Sequence, residues 1–334
     1  MRSNRFIRRR HIIEGKRRAG LGAAQHYFAA ARRERASRKV RTLIRRMHNV
    51  VLVTPRWSMV GAFLSDLGGD LAIGKPQVQT KLFDLHGLGQ YSIPEIWLRL
   101  TRILDPKDQE TLAHPVGRQG FINALVGLFN VAEDPACKKC LMLHGVELLP
   151  LEIRADFLAA VKRFVSVQGA GRTLCILVTG NLGLGAAAIE AGLERVFLPD
   201  YESAEAVERL VEYLGPMSRY DLEMAVELVG GVPAFLQVLG EAPSRIQDVC
   251  ENQTEVRFAL GALMDEVRGA VDIVNSEERM AARLEQLAAF GPLQTEWDLD
   301  DRLDRAGLLK RFKRGSADMV GLRAPVFAEL AANV

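Results

Sequence analysis

Eight residues of the chain, Thr54 to Gly61, have the position of a phosphate-binding loop. They follow an apolar, β-branched run, Asn49–Thr54, and precede a segment with helical spacing. This is the strand–turn–helix context of the pattern G-x-x-x-x-G-K-[ST], whose chemistry is phosphoryl transfer. In that pattern the glycines let backbone N–H groups surround the phosphates, the lysine neutralises their charge and the hydroxyl binds Mg²⁺.

The residues at the four diagnostic positions of this pattern are different. Thr54 and Met59 stand where the glycines belong, Val60 where the lysine belongs and Gly61 where the hydroxyl belongs. The spacing therefore predicts the turn of a phosphate loop without the groups that hold phosphate and Mg²⁺.

The surrounding elements predict an α/β fold. Short apolar runs alternate with segments of helical period, which indicates a parallel sheet covered by helices on both faces. The predicted strands are Asn49–Thr54, Lys81–Leu85, Cys140–Val146, Leu174–Thr179 and Arg195–Leu198. After these strands, helical patterns dominate to about residue 290.

With these motifs in order, the chain resembles the P-loop ATPases of the AAA+ and STAND group, in particular their archaeal-ATPase-like branch. Cys140–Pro150 is similar to the second acidic strand of that family, and Thr173–Asn181 is similar to its sensor strand. Val196–Asp200 is similar to the strand that leads into the lid, and Gly230–Pro233 to the lid turn that approaches adenine. The resemblance implies a vestigial nucleotide site at Thr54, Pro55, Arg56, Ser58, Met59, Val60, Gly61, His144, Gly145, Asn181, Gly231 and Pro233.

The departures from the family pattern predict that the chain does not hydrolyse nucleotide. His144 and Gly145 stand where the resemblance implies an acidic pair that holds Mg²⁺ and orients water, whereas Asn181 is kept. Phosphoryl transfer depends almost entirely on positioned charge. We therefore predict a pseudo-NTPase with no cofactor. Weak nucleotide binding by a sensing switch, in which Arg56 replaces the lysine, stays open as an alternative.

Four parts are predicted along the chain: a basic helical arm at 1–47, a P-loop NTPase-like α/β core at 48–200, a helical lid at 201–272 and a winged-helix-like domain at 273–334. The last part is predicted from two helical segments followed by a basic hairpin. The resembled family often ends in this way.

Charge is distributed unevenly along the chain. The formal net charge is +3, but residues 1–50 hold 16 Lys and Arg against two acidic residues. Such a segregated arm is typical of contact with nucleic acid or an acidic partner. Candidate contact residues are Arg8, Arg9, Arg10, Lys16, Arg17 and Arg18 in the arm and Arg311, Lys313 and Arg314 in the hairpin. An arm folded onto the acidic remainder of the chain and an organelle-import signal are the alternatives.

Other chemistry has weaker sequence support. The four cysteines are too few for a disulfide scaffold, which favours a reducing, cytoplasmic compartment. The C-x-x-C pair Cys137 and Cys140 has no second half, and the histidines are scattered. We therefore predict no metal site and interpret His144 as a structural or surface residue. No apolar run of 18 residues exists, so no membrane partner is expected.

The predicted function is that of an adaptor or structural subunit in a larger protein or nucleoprotein assembly. An active paralogous ATPase is one candidate partner. A nucleic-acid-binding regulator, which uses the basic arm and the hairpin, is the alternative function.

Overall fold

The computed structural model describes residues 32–104, 119–121, 123, 138–167, 172–180, 182–215, 217–241, 244–246, 260–314 and 316–331. Among the described residues, no helix combines the length and the apolar character needed to cross a membrane.

Five parallel strands form one sheet in the order β2–β3–β4–β1–β5. The strands are β1 (Val50–Thr54), β2 (Val78–Asp84), β3 (Lys138–His144), β4 (Arg172–Thr179) and β5 (Glu194–Phe197). All five coincide with predicted runs, so the predicted parallel sheet is confirmed. Strand β2 begins earlier than its apolar run because it lies at the edge of the sheet, where polar residues such as Gln79 are exposed.

Helices cover both faces of the sheet because both faces are apolar. On one face lie α1 (Arg32–Arg45) and α2 (Val60–Ile73), and on the other lie α3 (Ile93–Leu104), α4 (Leu151–Val167) and α5 (Leu182–Glu190). Every residue of β1 is buried. Val50 and Leu52 pack against α1 and α2, whereas Val51 and Val53 pack in the cluster that contains Phe157 of α4. This alternation follows from the two-residue period of a strand.

The second half of the described chain is largely helical and shares one apolar cluster. It consists of α6 (Ser203–Leu214), α7 (Arg219–Val229), α8 (Pro233–Leu239), α9 (Ala262–Asn275), α10 (Glu278–Phe290), β6 (Leu293–Gln294), α11 (Trp297–Arg305), β7 (Leu309–Arg314), β8 (Ala317–Leu322) and α12 (Val326–Ala331). Strands β6, β8 and β7 form a small antiparallel sheet. Within this half, α10 and α11 are joined by a buried ion pair, in which Arg283 donates to both oxygens of Asp300 at 3.0 and 3.1 Å. The predicted boundary between lid and winged-helix-like domain falls inside α9 and stays a prediction.

Helix α1 is the described part of the predicted basic arm, and it packs on the core. Val40 and Ile44 are fully buried, Arg41 pairs with Asp70 of α2 at 2.7 Å, and Arg33 is only 5% exposed. Intramolecular packing, one of the alternatives left open for the arm, therefore holds for residues 32–45.

Candidate functional site

Two groups of candidate residues lie where strands of the parallel sheet end. The first is the β1–α2 turn, Thr54–Gly61. The second is a histidine cluster formed by Asp84 at the end of β2, His86 two residues later and His144 at the end of β3. Ligand sites of open α/β sheets lie at this carboxyl edge, so both groups are candidates.

The backbone of the β1–α2 turn has two residues in the left-handed region. Trp57 has a φ of 61° and Met59 a φ of 53°. Met59 stands where the loop pattern has its second glycine, and glycine adopts this conformation without the steric cost that a side chain brings. The turn therefore has the left-handed backbone conformation that favours glycine, although Trp57 and Met59 occupy these positions.

The side chain of Trp57 anchors the turn in the helical half of the molecule. It is 8% exposed, and its ring centre lies 6.2 Å from that of Phe235 in α8 and 5.9 Å from that of Phe327 in α12. Its indole Nε1 donates a hydrogen bond of 3.0 Å to the carboxylate of Glu266 in α9. Three helices of the second half thus contact one side chain of the turn.

Backbone carbonyls of the turn accept hydrogen bonds from other parts of the chain. The carbonyl of Trp57 accepts from the amide of Ala234 at 3.1 Å, and that of Ser58 accepts from Arg33 of α1 at 3.0 Å. The carbonyl of Arg56 accepts from Arg323. These contacts join the turn to the arm helix, to α8 and to the segment before α12.

Arg323 also forms a bidentate ion pair beside the β1–α2 turn. Its guanidinium donates to both carboxylate oxygens of Asp200 at 2.6 Å each. The Arg323 residue is 2% exposed. Charge-assisted, two-pronged pairs of this kind are the stronger hydrogen bonds of proteins.

Two glycines allow the close packing around the turn. A Cβ at Gly231 would lie 1.7 Å from the carbonyl oxygen of Tyr201, and a Cβ at Gly307 would lie 2.7 Å from the Cβ of Arg56. Gly231 and Pro233 belong to the predicted lid turn. The structure brings this segment to the β1–α2 turn, because the amide of Ala234, the residue after Pro233 in α8, donates to the carbonyl of Trp57.

The side chains of the β1–α2 turn do not fit a magnesium nucleotide. Val60 is buried in the apolar cluster beneath the sheet, the guanidinium of Arg56 lies 5.0 Å from the ring centre of Trp57, and the hydroxyl of Ser58 donates to the carbonyl of Pro55. The hydroxyl of Thr54 is fully buried and has no hydrogen-bond partner among the described residues. Phosphate loops combine backbone donors with a lysine that neutralises the phosphates, whereas Arg56, the cation of this turn, lies on an indole ring.

The histidine cluster depends on the pairing of two neighbouring strands. Asp84 and His144 are partners in the parallel register of β2 and β3. The Nδ1 atom of His144 lies 3.6 Å from the Oδ1 atom of Asp84, and Nδ1 of His86 contacts the same oxygen. The amide of His86 also donates to that oxygen at 3.0 Å. The two imidazole centres are 4.4 Å apart.

Electrostatics differ among these groups. Burial lowers the pKa of His144, and the neighbouring imidazole of His86 lowers it further. Partial burial acts to raise the pKa of Asp84, but hydrogen bonds from the amide and imidazole of His86 outweigh it, so the pKa of Asp84 is lowered. Burial raises the pKa of Glu147, although the amide of Thr179 donates to one of its oxygens at 3.0 Å. The other oxygen of Glu147 is buried without a hydrogen-bond partner among the described residues.

Gly145 makes room for the second histidine of the cluster. Its φ is 87°, and a Cβ at this position would lie 3.1 Å from Nδ1 of His86. Glycine therefore serves here both the backbone conformation and the close approach of His86.

The structure separates the predicted site residues into two places. His144 and Gly145 lie apart from Thr54–Gly61, because β4 stands between β3 and β1. Arg314 is exposed at the end of β7. Asn181, the side chains of Arg311 and Lys313, and the predicted arm contacts Arg8, Arg9, Arg10, Lys16, Arg17 and Arg18 lie outside the described residues.

Sequence reasoning missed the partners of these residues. Trp57 has no place in the loop pattern, and its partners Phe235 and Phe327 are distant in the chain. Asp84 and His86 do carry a local signal, since an Asp-x-His segment follows a strand whose neighbour ends in His144. The structure brings His144 together with Asp84 and His86 in a cluster of three titratable groups, and the interpretation of His144 as a structural or surface residue stays a prediction.

Comparison with solved structures places the fold. The Walker-type ATPase of Pyrococcus abyssi superposes with a TM-score of 0.63 at 15% sequence identity, over 90% of this chain and 95% of that one. Cdc6p from Pyrobaculum aerophilum gives a TM-score of 0.49 at 12% identity, over 91% and 93% of the two chains. The ORC1 protein of Aeropyrum pernix, solved in complex with DNA, gives 0.47 at 13% identity, over 90% and 91%.

No protein-family model and no curated protein sequence matches the chain. The fold assignment rests on the first of the three structures, since the other two TM-scores are below 0.5. The fold that the family resemblance implies, a P-loop NTPase-like α/β core, is confirmed. The chain has the fold of a Walker-type ATPase.

Proposed function

We propose that this protein does not hydrolyse nucleotide and acts as an adaptor or structural subunit of a larger assembly, with a Walker-type ATPase fold as its scaffold. A fold is stabilised by its packing and does not require its catalytic groups. An active ATPase with a related fold is one candidate partner, and the second half of the chain includes a winged-helix-like module in this proposal.

The observation that carries the proposal is the use of the β1–α2 turn. Trp57 of this turn is buried among helices of the second half, and carbonyls of the turn accept bonds from Arg33 and Arg323. In an active site of this fold class, the same turn would present donors and a cation to the phosphates. Here its contacts support a role as an internal joint.

Phosphate release from ATP and GTP by the purified full chain tests the catalytic part of the proposal. Turnover should equal the buffer blank with Mg²⁺ present, and it should be the same in Arg56→Ala and Glu147→Gln. Turnover that is reproducible and disappears in either variant would refute the proposal. Turnover that the variants leave unchanged but that co-elutes with the chain would refute the proposal as well, whereas turnover that separates from the chain belongs to a contaminating enzyme.

A thermal melt with and without millimolar Mg-ATP separates an inert scaffold from a nucleotide-sensing switch. Ligands that bind only the folded state raise the melting temperature by mass action. We expect no rise. A rise that is lost in Arg56→Ala would favour the switch.

Affinity purification with and without nuclease tests the adaptor role. We expect a defined protein partner that is retained after nuclease treatment. A partner lost with nuclease would favour the second candidate function, a nucleic-acid-binding regulator.

The charge of the N-terminal segment supports this second candidate. Residues 1–20 hold eight Lys and Arg against one acid, and Lys310 and Arg314 are exposed on β7. Phosphate contacts release counterions, so neutralising about five or six duplex phosphates would give a log–log salt slope near about −5. Sequence preference should be slight, because phosphate contacts do not read bases.

Deleting residues 1–20 distinguishes nucleic-acid binding from packing of this segment on the chain. If the segment binds nucleic acid, affinity and salt slope fall while the melting temperature is unchanged. If it packs on the acidic remainder, the melting temperature falls and affinity is unchanged.

A further inference from the structure

The histidine cluster has the donor set of a transition-metal site. Two imidazoles and one carboxylate are ligands that zinc and iron(II) sites use, and one ligand atom from each of the three side chains lies within 4.8 Å of the others. We propose that Asp84, His86 and His144 bind one divalent transition-metal ion, with Zn²⁺ as the ion of choice. The inference does not rest on the proposed adaptor function.

The distances suit a metal of this kind. Bonds of about 2.0–2.1 Å in tetrahedral geometry keep ligand atoms about 3.3–3.4 Å apart. The Oδ1 atom of Asp84 and Nδ1 of His144 are 3.6 Å apart, close to that spacing. His86 lies closer to Asp84 than a shared metal allows, so metal binding requires its imidazole, whose side chain is 48% exposed, to rotate.

The backbone holds two of the three ligands, Asp84 and His144, in place before a metal arrives. Asp84 and His144 are fixed by the register of β2 and β3, and the amide of Leu85 donates to the carbonyl of His144 at 2.8 Å. Gly145 leaves the space that His86 occupies. Sites built on rigid elements hold their ligands more precisely than sites on loops.

Three protein ligands leave a position open. Structural zinc sites have four protein ligands, whereas sites with three bind water or another molecule at the fourth position. The side chains of Asp84 and His86 are 60% and 48% exposed, so this position is accessible from solvent. The geometry therefore points to an open site.

Binding of ZnCl₂ to the chelator-treated full chain tests the inference. Competition with a chromogenic chelator measures stoichiometry and affinity, and Co²⁺ absorption reports the coordination geometry. We expect one equivalent of Zn²⁺, which Asp84→Asn and His86→Ala each weaken by about 10-fold or more. At the same concentration, Zn²⁺ should raise the melting temperature of the wild-type protein more than that of either variant.

His48→Ala is the matched control. His48 contacts Glu194 and is 47% exposed, so it forms a histidine–carboxylate pair, but outside the cluster. This variant should bind Zn²⁺ like the wild type, and Mg²⁺ should not compete, because imidazole ligands suit zinc rather than magnesium. The inference is wrong if no Zn²⁺ binds at about 100 μM, if His48→Ala weakens binding equally, or if both cluster variants bind normally. None of these outcomes bears on nucleotide hydrolysis.

Discussion

The β1–α2 turn and the histidine cluster lie at strand ends of one sheet, yet the polar groups around the turn are buried and those of the cluster are exposed to solvent. At the turn, Arg323 and Asp200 are largely buried and bonded to each other, and Trp57 is covered by helices of the second half. At the cluster, Asp84 and His86 remain about half exposed. Strand ends of an α/β sheet can therefore be used for internal contacts at one place and stay available to a ligand at another.

The turn is buried and the cluster exposed because the second half of the chain packs on the turn. That half contacts the turn through Ala234, Arg323 and the rings of Phe235 and Phe327. Strand β2 is an edge strand, separated from β1 by β3 and β4. Stability should thus depend strongly on side chains at the turn and weakly on those at the cluster.

Trp57→Ala should cause the largest loss of stability. The change removes a buried indole and leaves the carboxylate of Glu266 without its donor, and large-to-small changes of buried aromatic residues cost about 3–5 kcal/mol. Urea unfolding of the full chain measures the loss. Trp57→Phe retains part of the ring packing but loses the hydrogen bond and some buried volume, so its cost should lie below that of Trp57→Ala, at about 1–3 kcal/mol. A loss below about 1 kcal/mol in Trp57→Ala would refute the role of the turn as a joint.

Arg323→Ala should rank next, at about 3 kcal/mol, because removing one partner of a buried ion pair leaves the other charge uncompensated. The remaining charge is that of Asp200, whose side chain is 19% exposed. Adding Asp200→Asn should recover part of the loss, since it removes that charge. Arg219→Ala, which breaks an exposed pair with Glu223, is the control and should cost at most about 0.5 kcal/mol. Equal losses in the two arginine variants would contradict the contrast between buried and exposed pairs.

Gly145→Ala should have a moderate effect at the histidine cluster. A side chain there meets both a φ of 87° and the Nδ1 atom of His86 at 3.1 Å, and strain of this kind costs about 1–2 kcal/mol. Thermal unfolding measures it. Gly61→Ala is the matched control, because a Cβ at Gly61 has no atom within 4 Å and the residue lies in α2, so its stability should be unchanged or slightly higher. A Gly145→Ala protein as stable as the wild type would show that the glycine is not required for this packing.

Much of the fold could be predicted because its signals are local. The apolar run that ends at Thr54 is buried in every residue of β1, and the run around Ile176 is likewise a central strand. Such strands are apolar throughout because both faces of a parallel sheet are covered. The position of the turn after β1 is also a local signal, because it lies between this apolar run and a segment with helical spacing.

The contacts at the strand ends could not be predicted because they join distant segments. Nothing in the residues around Trp57 indicates that Phe327 will pack against it. The approach of His86 to His144 depends on strand order, since β2 must lie beside β3 in the register that pairs Asp84 with His144. Long-range pairings of this kind have no periodic signal in the sequence.

The smallest predicted effect concerns Glu205 in the first turn of α6, and it depends on pH. Burial raises the pKa of Glu205 to about 7, although the cations Arg33 and Arg209 oppose the shift and Glu34 adds to it. One of its oxygens is buried with no hydrogen-bond partner among the described residues. Between about pH 4.5 and 7 the folded state therefore binds more protons than the unfolded state. Stability should fall as pH rises through this window.

Glu205→Gln removes the titrating group and should flatten this slope. The variant should match the wild type below about pH 4.5 and become relatively more stable toward pH 8, by less than about 1 kcal/mol, because solvent screens a partly exposed carboxylate. Melting temperatures from pH 4.5 to 8 measure the difference. Glu208→Gln, on the exposed side of the same helix, is the control and should run parallel to the wild type. If Glu205→Gln also runs parallel, the electrostatic attraction of Arg33 and Arg209 outweighs burial. The buried region beside the β1–α2 turn would then accommodate a charge as readily as the exposed histidine cluster does.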